Sequence, residues 1–170
     1  MNLLASPRLA NVLGLLACAG LMGYALYAQY ALRLDPCPLC IFQRIALLGL
    51  AATFALAALH PAGRTGRRAY AVLIALVALT GVVVAGRHLW VQSLPADRVP
   101  ACGPGLDFIF ETFPLFEALQ VVLSGSGECH AVTWSLLGLS MPGWVLLAFV
   151  VLGAFGFAAN WRGAGAKRTV

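Results

Sequence analysis

Charged side chains are scarce in this sequence. They make up 10% of the 170 residues, while 61% of the residues are hydrophobic; a soluble domain usually carries about 25% charged residues. So few charged side chains cannot cover the surface of a soluble domain. The composition therefore excludes a soluble globular protein and indicates a membrane protein. The length suits a single membrane domain that covers residues 1–170.

Long stretches of the chain contain no formal charge. Four of them are 24, 19, 18 and 33 residues long, and a membrane-spanning helix needs roughly 20 predominantly apolar residues. The sequence therefore predicts an all-α membrane protein, an antiparallel four-helix transmembrane bundle. Its spans are expected at about 9–30, 42–60, 69–88 and 142–161. A cleaved signal peptide is the less favoured interpretation of the first span, because its apolar stretch exceeds the roughly 7–15 residues of such a peptide.

Acidic residues are absent from one side of this topology. Loops 31–41 and 89–141 hold all six Asp and Glu residues. The opposite side holds seven basic residues: Arg8, Arg64, Arg67, Arg68, Arg162, Lys167 and Arg168. Because Lys and Arg mark cytoplasmic segments, both termini are expected to be cytoplasmic. Topology and anionic lipid then account for the net charge of +5, and no nucleic-acid partner is needed.

Cysteine is also sparse, and its distribution is informative. Cys37 and Cys40 lie in the first outer loop, Cys102 and Cys129 lie in the second, and Cys18 lies within the first span. All four loop cysteines therefore fall on the non-cytoplasmic side, where disulfides form and persist. Cys18 is expected to be structural, because a thiol within apolar packing behaves as a small hydrophobic group.

Three interpretations of the loop cysteines compete: two static disulfides, a zinc site and a redox relay. A zinc site often pairs two closely spaced cysteine couples, but Cys102 and Cys129 are 27 residues apart. A disulfide across Cys37-x-x-Cys40 encloses too short a loop to constrain the unfolded chain much. The Cys-x-x-Cys pair suits thiol–disulfide exchange better, because the second thiol can attack and release any group that becomes attached to the first. The pattern therefore favours redox exchange.

The residues beside the Cys-x-x-Cys pair point to a pocket at the membrane edge. Pro38 fits the first turn of the second span, which places Cys40 near the helix end that favours a thiolate. Arg44 is four residues further on and shares that helical face. It either extends to water without a chemical role or faces a pocket that attracts electron-rich oxygens. His88, at the outer end of the third span, is a candidate for the same pocket.

The second outer loop is too long and apolar to be a simple connector. A helical spacing of apolar residues predicts a short interfacial helix, with a packed loop helix as the alternative; these residues are Leu115, Phe116, Leu119, Val122 and Leu123. Cys102 and Cys129 flank it in Gly-rich segments, so both are expected to be exposed and mobile and to exchange with a soluble partner. His130 is expected to be a solvated loop residue.

Taken together, the sequence resembles the disulfide bond formation protein B (DsbB) family. The resemblance rests on four spans, "CPLCIFQR" opening the second, a cysteine pair across the second outer loop, and "LGLSMPGW" leading into the fourth. It implies a multi-pass enzyme of the bacterial inner membrane that reoxidises DsbA, the periplasmic thiol oxidase. It also implies that the electrons pass to ubiquinone or menaquinone.

The resemblance assigns a role to each loop cysteine. Cys102 would form a mixed disulfide with the partner, and the released Cys129 would attack Cys37. Cys40 would then become the thiolate that faces the quinone. This relay connects a soluble dithiol with an acceptor dissolved in the bilayer.

The same resemblance implies a quinone site at Arg44, with His88 near its other side. Gln43 stands where some family members carry an acid. Two other functions remain open: a quinone-linked thiol oxidase similar to vitamin K epoxide reductase, and a tetraspan scaffold with static disulfides. The first is expected to carry its Cys-x-x-Cys late in the chain. The second predicts that no quinone is consumed.

Overall fold

Four long helices make up most of the part of the chain that the structure describes, and they form an all-α, multi-pass membrane bundle as the sequence predicted. The computed structural model describes residues 6–60, 62–95, 114, 117, 127–130, 132 and 134–163. The long helices are α1 (Pro7–Tyr30), α2 (Pro38–Leu59), α3 (Arg64–Gln92) and α5 (Met141–Gly163). Each is long and apolar enough to cross a membrane.

The third helix extends beyond the predicted span at both ends. The prediction placed the ends of the span, about 69–88, next to charged residues, whereas α3 runs from Arg64 to Gln92. Arginine is a good helix former, and its long side chain reaches the interface from within a helix. Charge therefore marks the edge of the apolar core without ending the helix.

Proline and a side-chain cap begin the first two helices. Pro7 and Pro38 occupy the first turn, where the N–H that proline lacks would have no partner within the helix. Ser6 caps α1, and the Cys37 sulfur accepts a hydrogen bond from the backbone N–H of Cys40 in α2. The Cys-Pro-x-Cys sequence is therefore itself the start of a helix, and it holds both sulfurs at one end of the bundle.

Small residues let the helices approach closely around a core of two phenylalanines. The most extensive packing is between α3 and α5, followed by α1 with α2 and α2 with α3. A Cβ atom at Gly81 would lie 2.4 Å from the Phe149 ring, and one at Gly14 would lie 2.7 Å from the Phe54 ring. Cys18 is buried in the same core, as its structural interpretation requires.

A short helix and a β-hairpin follow in the second outer loop. The helix is α4 (Gly127–His130). The strands β1 (Ser135–Leu136) and β2 (Leu139–Ser140) pair antiparallel around Leu137 and Gly138, whose φ angles are 53° and 81°. Two consecutive positive φ values are typical of the tight turns that match strand twist. The sequence analysis did not predict this hairpin, which leads directly into α5.

Two predictions for this loop lie outside the described residues. All five apolar positions of the predicted interfacial helix belong to that part of the chain, and so does Cys102. The described part of the loop nevertheless fixes the position of Cys129.

Candidate functional site

Two cysteine thiols lie together at the start of α2. The sulfurs of Cys37 and Cys40 are 3.0 Å apart. Cys37 is buried and Cys40 is half-buried. Because Cys37 caps the helix and Cys40 lies in its first turn, the local backbone alone sets this spacing. The pair can be oxidised to a disulfide and reduced again with little rearrangement of the helix.

Cys129 comes next to this pair from a distant part of the sequence. Its exposed fraction is 0%, and the sulfurs of Cys37 and Cys129 and a ring nitrogen of His88 all lie within 4.8 Å of one another. The expectation that Cys129 is exposed is therefore wrong. The short helix α4 packs on α3, and Cys129 joins a buried cluster with Leu39 and Val91.

His88 connects the two cysteine segments. Its side chain is only 3% exposed, and its Nε2 atom lies 3.1 Å from the carbonyl oxygen of Cys129 and 3.8 Å from the Cys37 sulfur. A carbonyl oxygen can only accept, so Nε2 carries a proton. His88 was predicted from the sequence to lie at the outer end of the third span and to be a candidate for this pocket, but its contacts with Cys37 and Cys129 were not predicted.

Gln43 forms a hydrogen bond with the other ring nitrogen of His88. Its side-chain amide nitrogen lies 3.1 Å from Nδ1 of His88. Since Nε2 donates to Cys129, Nδ1 of the neutral ring accepts and the Gln43 amide donates. Gln43 is itself buried, so the hydrogen bond is shielded from water. From the sequence, Gln43 was of interest only because some members of the family that the chain resembles have an acidic residue at this position.

Arg44 is held against α1 rather than extended towards water. Its guanidinium donates to the side-chain oxygen of Gln29 and, over 3.0 Å, to the carbonyl oxygen of Ala25. The structure describes no ion pair between Arg44 and a carboxylate of the residues it covers. Gln29 was missed by the sequence analysis, since nothing in its neighbourhood marks a polar residue near the end of an apolar span as a partner of Arg44.

A cavity of about 410 Å³ opens beside these groups. Cys37, Cys40, Gln43, Arg44 and His88 line one end of it. Apolar and aromatic side chains of α1, α2, α5 and the second outer loop form most of the remaining wall, among them Leu21, Leu47, Trp134, Trp144 and Phe149. A largely apolar cavity with a few convergent polar groups is the usual form of a small-molecule site.

The structure thus brings together five of the six residues that the sequence analysis selected: Cys37, Cys40, Cys129, Arg44 and His88. The sixth, Cys102, lies outside the described residues. His130, which was expected to be solvated, is half-buried and its ring donates to the carbonyl oxygen of Leu94 over 3.0 Å. This bond helps to hold α4 against the end of α3.

The cluster of Cys37, His88 and Cys129 also has the spacing of a metal site. Soft ions such as Zn²⁺ take thiolate and imidazole ligands, and a structural site usually has four. These three residues would supply three of them. Elemental analysis of the purified protein distinguishes a zinc centre from a redox centre, because only a zinc centre would contain about one bound ion per chain.

Known proteins similar to this chain point to one family. The family described as "Disulfide bond formation protein DsbB" matches residues 7–159. A protein of Methylococcus capsulatus named "Disulfide bond formation protein B" is 50% identical over 94% of this chain and 97% of that protein. Proteins with the same name from Chromohalobacter salexigens and Hahella chejuensis are 56% and 52% identical; the first match covers 86% of both chains, the second 90%.

Proposed function

The chain belongs to the disulfide bond formation protein B family, and we propose that it is a membrane thiol–disulfide oxidoreductase. It reoxidises a DsbA-like periplasmic thiol oxidase and passes the electrons to ubiquinone or menaquinone. The observation that carries this proposal is the contact geometry of three sulfurs. Cys129 is buried beside Cys37, and Cys37 lies 3.0 Å from Cys40 at the mouth of the apolar cavity.

The first part of the relay takes electrons from the partner. One thiolate of the reduced partner attacks the Cys102–Cys129 disulfide at Cys102, forms a mixed disulfide and releases the Cys129 thiolate. The Cys129 thiolate then attacks Cys37 of the Cys37–Cys40 disulfide, so that a Cys37–Cys129 bond forms and Cys40 leaves as a thiolate. Each step breaks one S–S bond and forms another, as thiol–disulfide exchange requires.

The second part completes the turnover. The partner's remaining thiolate attacks the mixed disulfide. The partner then leaves with its own disulfide formed, and Cys102 is released as a thiolate. Cys102 then attacks Cys129, restores the Cys102–Cys129 bond and leaves Cys37 and Cys40 as a dithiol. Cys37 and Cys40 then form their disulfide again and give up two electrons and two protons, which a quinone bound in the cavity would take up, so the partner's two electrons are accounted for.

The described residues support the inner exchange step. Cys129 needs no long movement to reach Cys37, because their sulfurs already lie within 4.8 Å of each other. The Nε2–H group of His88 holds the carbonyl oxygen of Cys129 and points a donor at the Cys37 sulfur. A donor in this buried place stabilises negative charge that moves between the two sulfurs.

The cavity fits a quinone by size and chemistry. Its volume of about 410 Å³ falls within the roughly 300–1,000 Å³ of small-molecule sites, and its apolar wall suits a ring with an isoprenoid tail. Arg44 would hold a quinone oxygen, since a guanidinium has five N–H donors and Gln29 and Ala25 accept from only two of its nitrogens. His88 lines the same end of the cavity.

Orientation follows from the charge bias. We place the cysteine end of the bundle in the periplasm of a bacterial inner membrane and both termini in the cytoplasm, since seven of the eleven basic residues and none of the six acidic ones belong to the opposite side.

A turnover assay with purified protein tests the function. Reduced DsbA-like partner and a short-chain quinone are added, and the quinone absorbance is followed. Replacing Cys37, Cys40, Cys102 or Cys129 with serine should abolish turnover, whereas Cys18→Ser should retain it. Quinone consumption that survives any of the four loop substitutions would refute the relay.

A further inference from the structure

A second cavity lies at the end of the bundle opposite the cysteines. Its volume is about 240 Å³, and parts of all four long helices border it. Its polar lining consists of Arg8, Asn11, His60, Arg67, Tyr70 and Asn160. None of these residues belongs to the site described above, so the cavity needs an explanation of its own.

The floor of this cavity is rigid and polar. Asn11 of α1 and Asn160 of α5 exchange two side-chain hydrogen bonds of 3.1 and 2.8 Å, and Asn160 also donates to the carbonyl oxygen of Gly156. Both asparagines are 1% exposed. At the rim, His60 Nδ1 lies 3.1 Å from the Tyr70 hydroxyl. Polar side chains inside a membrane bundle are costly unless they are paired or functional.

The formal charges that the described residues bring to this cavity are of one sign. Arg8 and the half-buried Arg67 line it, and no carboxylate of the described part of the chain does. All six acidic residues of the chain lie between Asp35 and Glu128 in the sequence, in the segments that connect the spans at the other end. The cavity is therefore an electropositive recess.

The start of α3 adds to this positive potential. Arg64, Arg67 and Arg68 hold three of the first five positions of the helix. Its first turn contains no acid, and its N-cap Gly63 supplies no side-chain acceptor. Basic residues at a helix N-terminus oppose the helix dipole, whereas an anion there is stabilised. An anion in the recess would offset this unfavourable arrangement.

We propose that this cavity binds the phosphate group of an anionic membrane phospholipid. The guanidinium groups of Arg8 and Arg67 hold the phosphate oxygens, and the Tyr70 hydroxyl lies beside them at the rim. The lipid is favoured over a soluble anion because the recess lies at the end of a membrane-spanning bundle and its remaining wall is apolar, formed by the end of α2. Basic pockets between membrane helices suit anionic headgroups of this kind.

Native mass spectrometry of the full chain in mild detergent tests the proposal. The protein is titrated separately with phosphatidylglycerol, with phosphatidylcholine and with inorganic phosphate alone. The variant Arg8→Gln/Arg67→Gln should bind phosphatidylglycerol roughly tenfold or more weakly than the native chain. The matched control Arg33→Gln/Arg162→Gln removes the same charge from exposed residues that belong neither to the cavity lining nor to the start of α3, and it should bind phosphatidylglycerol as the native chain does.

Several outcomes would overturn the proposal. Equal losses in the cavity variant and the control would assign the lipid to general surface charge, and equal retention of phosphatidylglycerol and phosphatidylcholine would exclude an anionic site. Inorganic phosphate that binds as strongly as the lipid would make the ligand a soluble anion. If the double variant does not fold, the single variant Arg8→Gln, at an exposed position, should still weaken binding, and unchanged binding would refute the site.

Discussion

The hydrogen bond between Gln43 and His88 offers a sharp test of how the inner exchange step is organised. Gln43→Met keeps an unbranched side chain of similar length but removes the amide that donates to Nδ1 of His88 over 3.1 Å. Gln43 is 5% exposed and His88 is 3% exposed, so water cannot readily replace the lost donor. The ring is then free to leave the orientation in which Nε2 donates to Cys129.

The size of the effect follows from the burial. An unsatisfied buried acceptor costs about 1–3 kcal/mol, and a tenfold change in rate corresponds to about 1.4 kcal/mol at room temperature. If the whole cost reaches the transition state of the exchange between Cys129 and Cys37, turnover falls roughly 5- to 150-fold. A partial transfer of the cost gives a smaller decrease.

The assay combines quinone consumption with ¹⁵N NMR of the histidine rings. In the native chain the His88 signals should report a proton on Nε2 and a hydrogen-bonded Nδ1, and in Gln43→Met the second feature should disappear as the rate falls. Thr53→Val is the control, because Thr53 is buried on the same helix and its hydroxyl donates only to Gly49 of α2. Equal rates in all three proteins, with an unchanged His88 spectrum in Gln43→Met, would refute the reasoning.

Two further predictions concern the proposed quinone site and the packing of the helices. Arg44→Lys should raise the quinone concentration needed for half-maximal turnover, because a lysine cannot reproduce the planar fork that contacts both Gln29 and the α1 backbone; an unchanged requirement would remove Arg44 from the site. Gly81→Ala should destabilise the bundle by about 1–3 kcal/mol, because the new methyl would lie 2.4 Å from the Phe149 ring. Thermal unfolding in detergent measures this loss, and Gly20→Ala, with nothing within 4 Å of its new methyl, should show none; equal behaviour of the two variants would contradict it.

The bundle could be predicted because its signal is local. Each span is a stretch of apolar residues whose length matches a bilayer, and no knowledge of tertiary contacts is needed to find it. The position of Cys37 and Cys40 at a helix start could also be predicted, since the residues next to them define it. The extent of α3 could not be predicted, because arginine marks the membrane edge without ending a helix.

The rest of the site depends on contacts between distant segments. Cys129 is 92 positions from Cys37 in the sequence, and its Gly-rich surroundings favoured an exposed position that packing on α3 overrides. The pairing of Gln29 with Arg44 is likewise a contact between two helices, and neither residue type requires it. Periodicity and spacing report what a segment does by itself, so they cannot supply such contacts.

The central claim is that Cys129 and Cys37 exchange a bond directly. The variant Cys40→Ser/Cys102→Ser removes the disulfide partner of Cys37, which is Cys40, and that of Cys129, which is Cys102. Cys18 is then the one other cysteine in the chain. After mild oxidation and digestion without reductant, mass spectrometry should find one intramolecular Cys37–Cys129 disulfide and a reduced Cys18. Two free thiols at Cys37 and Cys129, or disulfides only between molecules, would contradict the account.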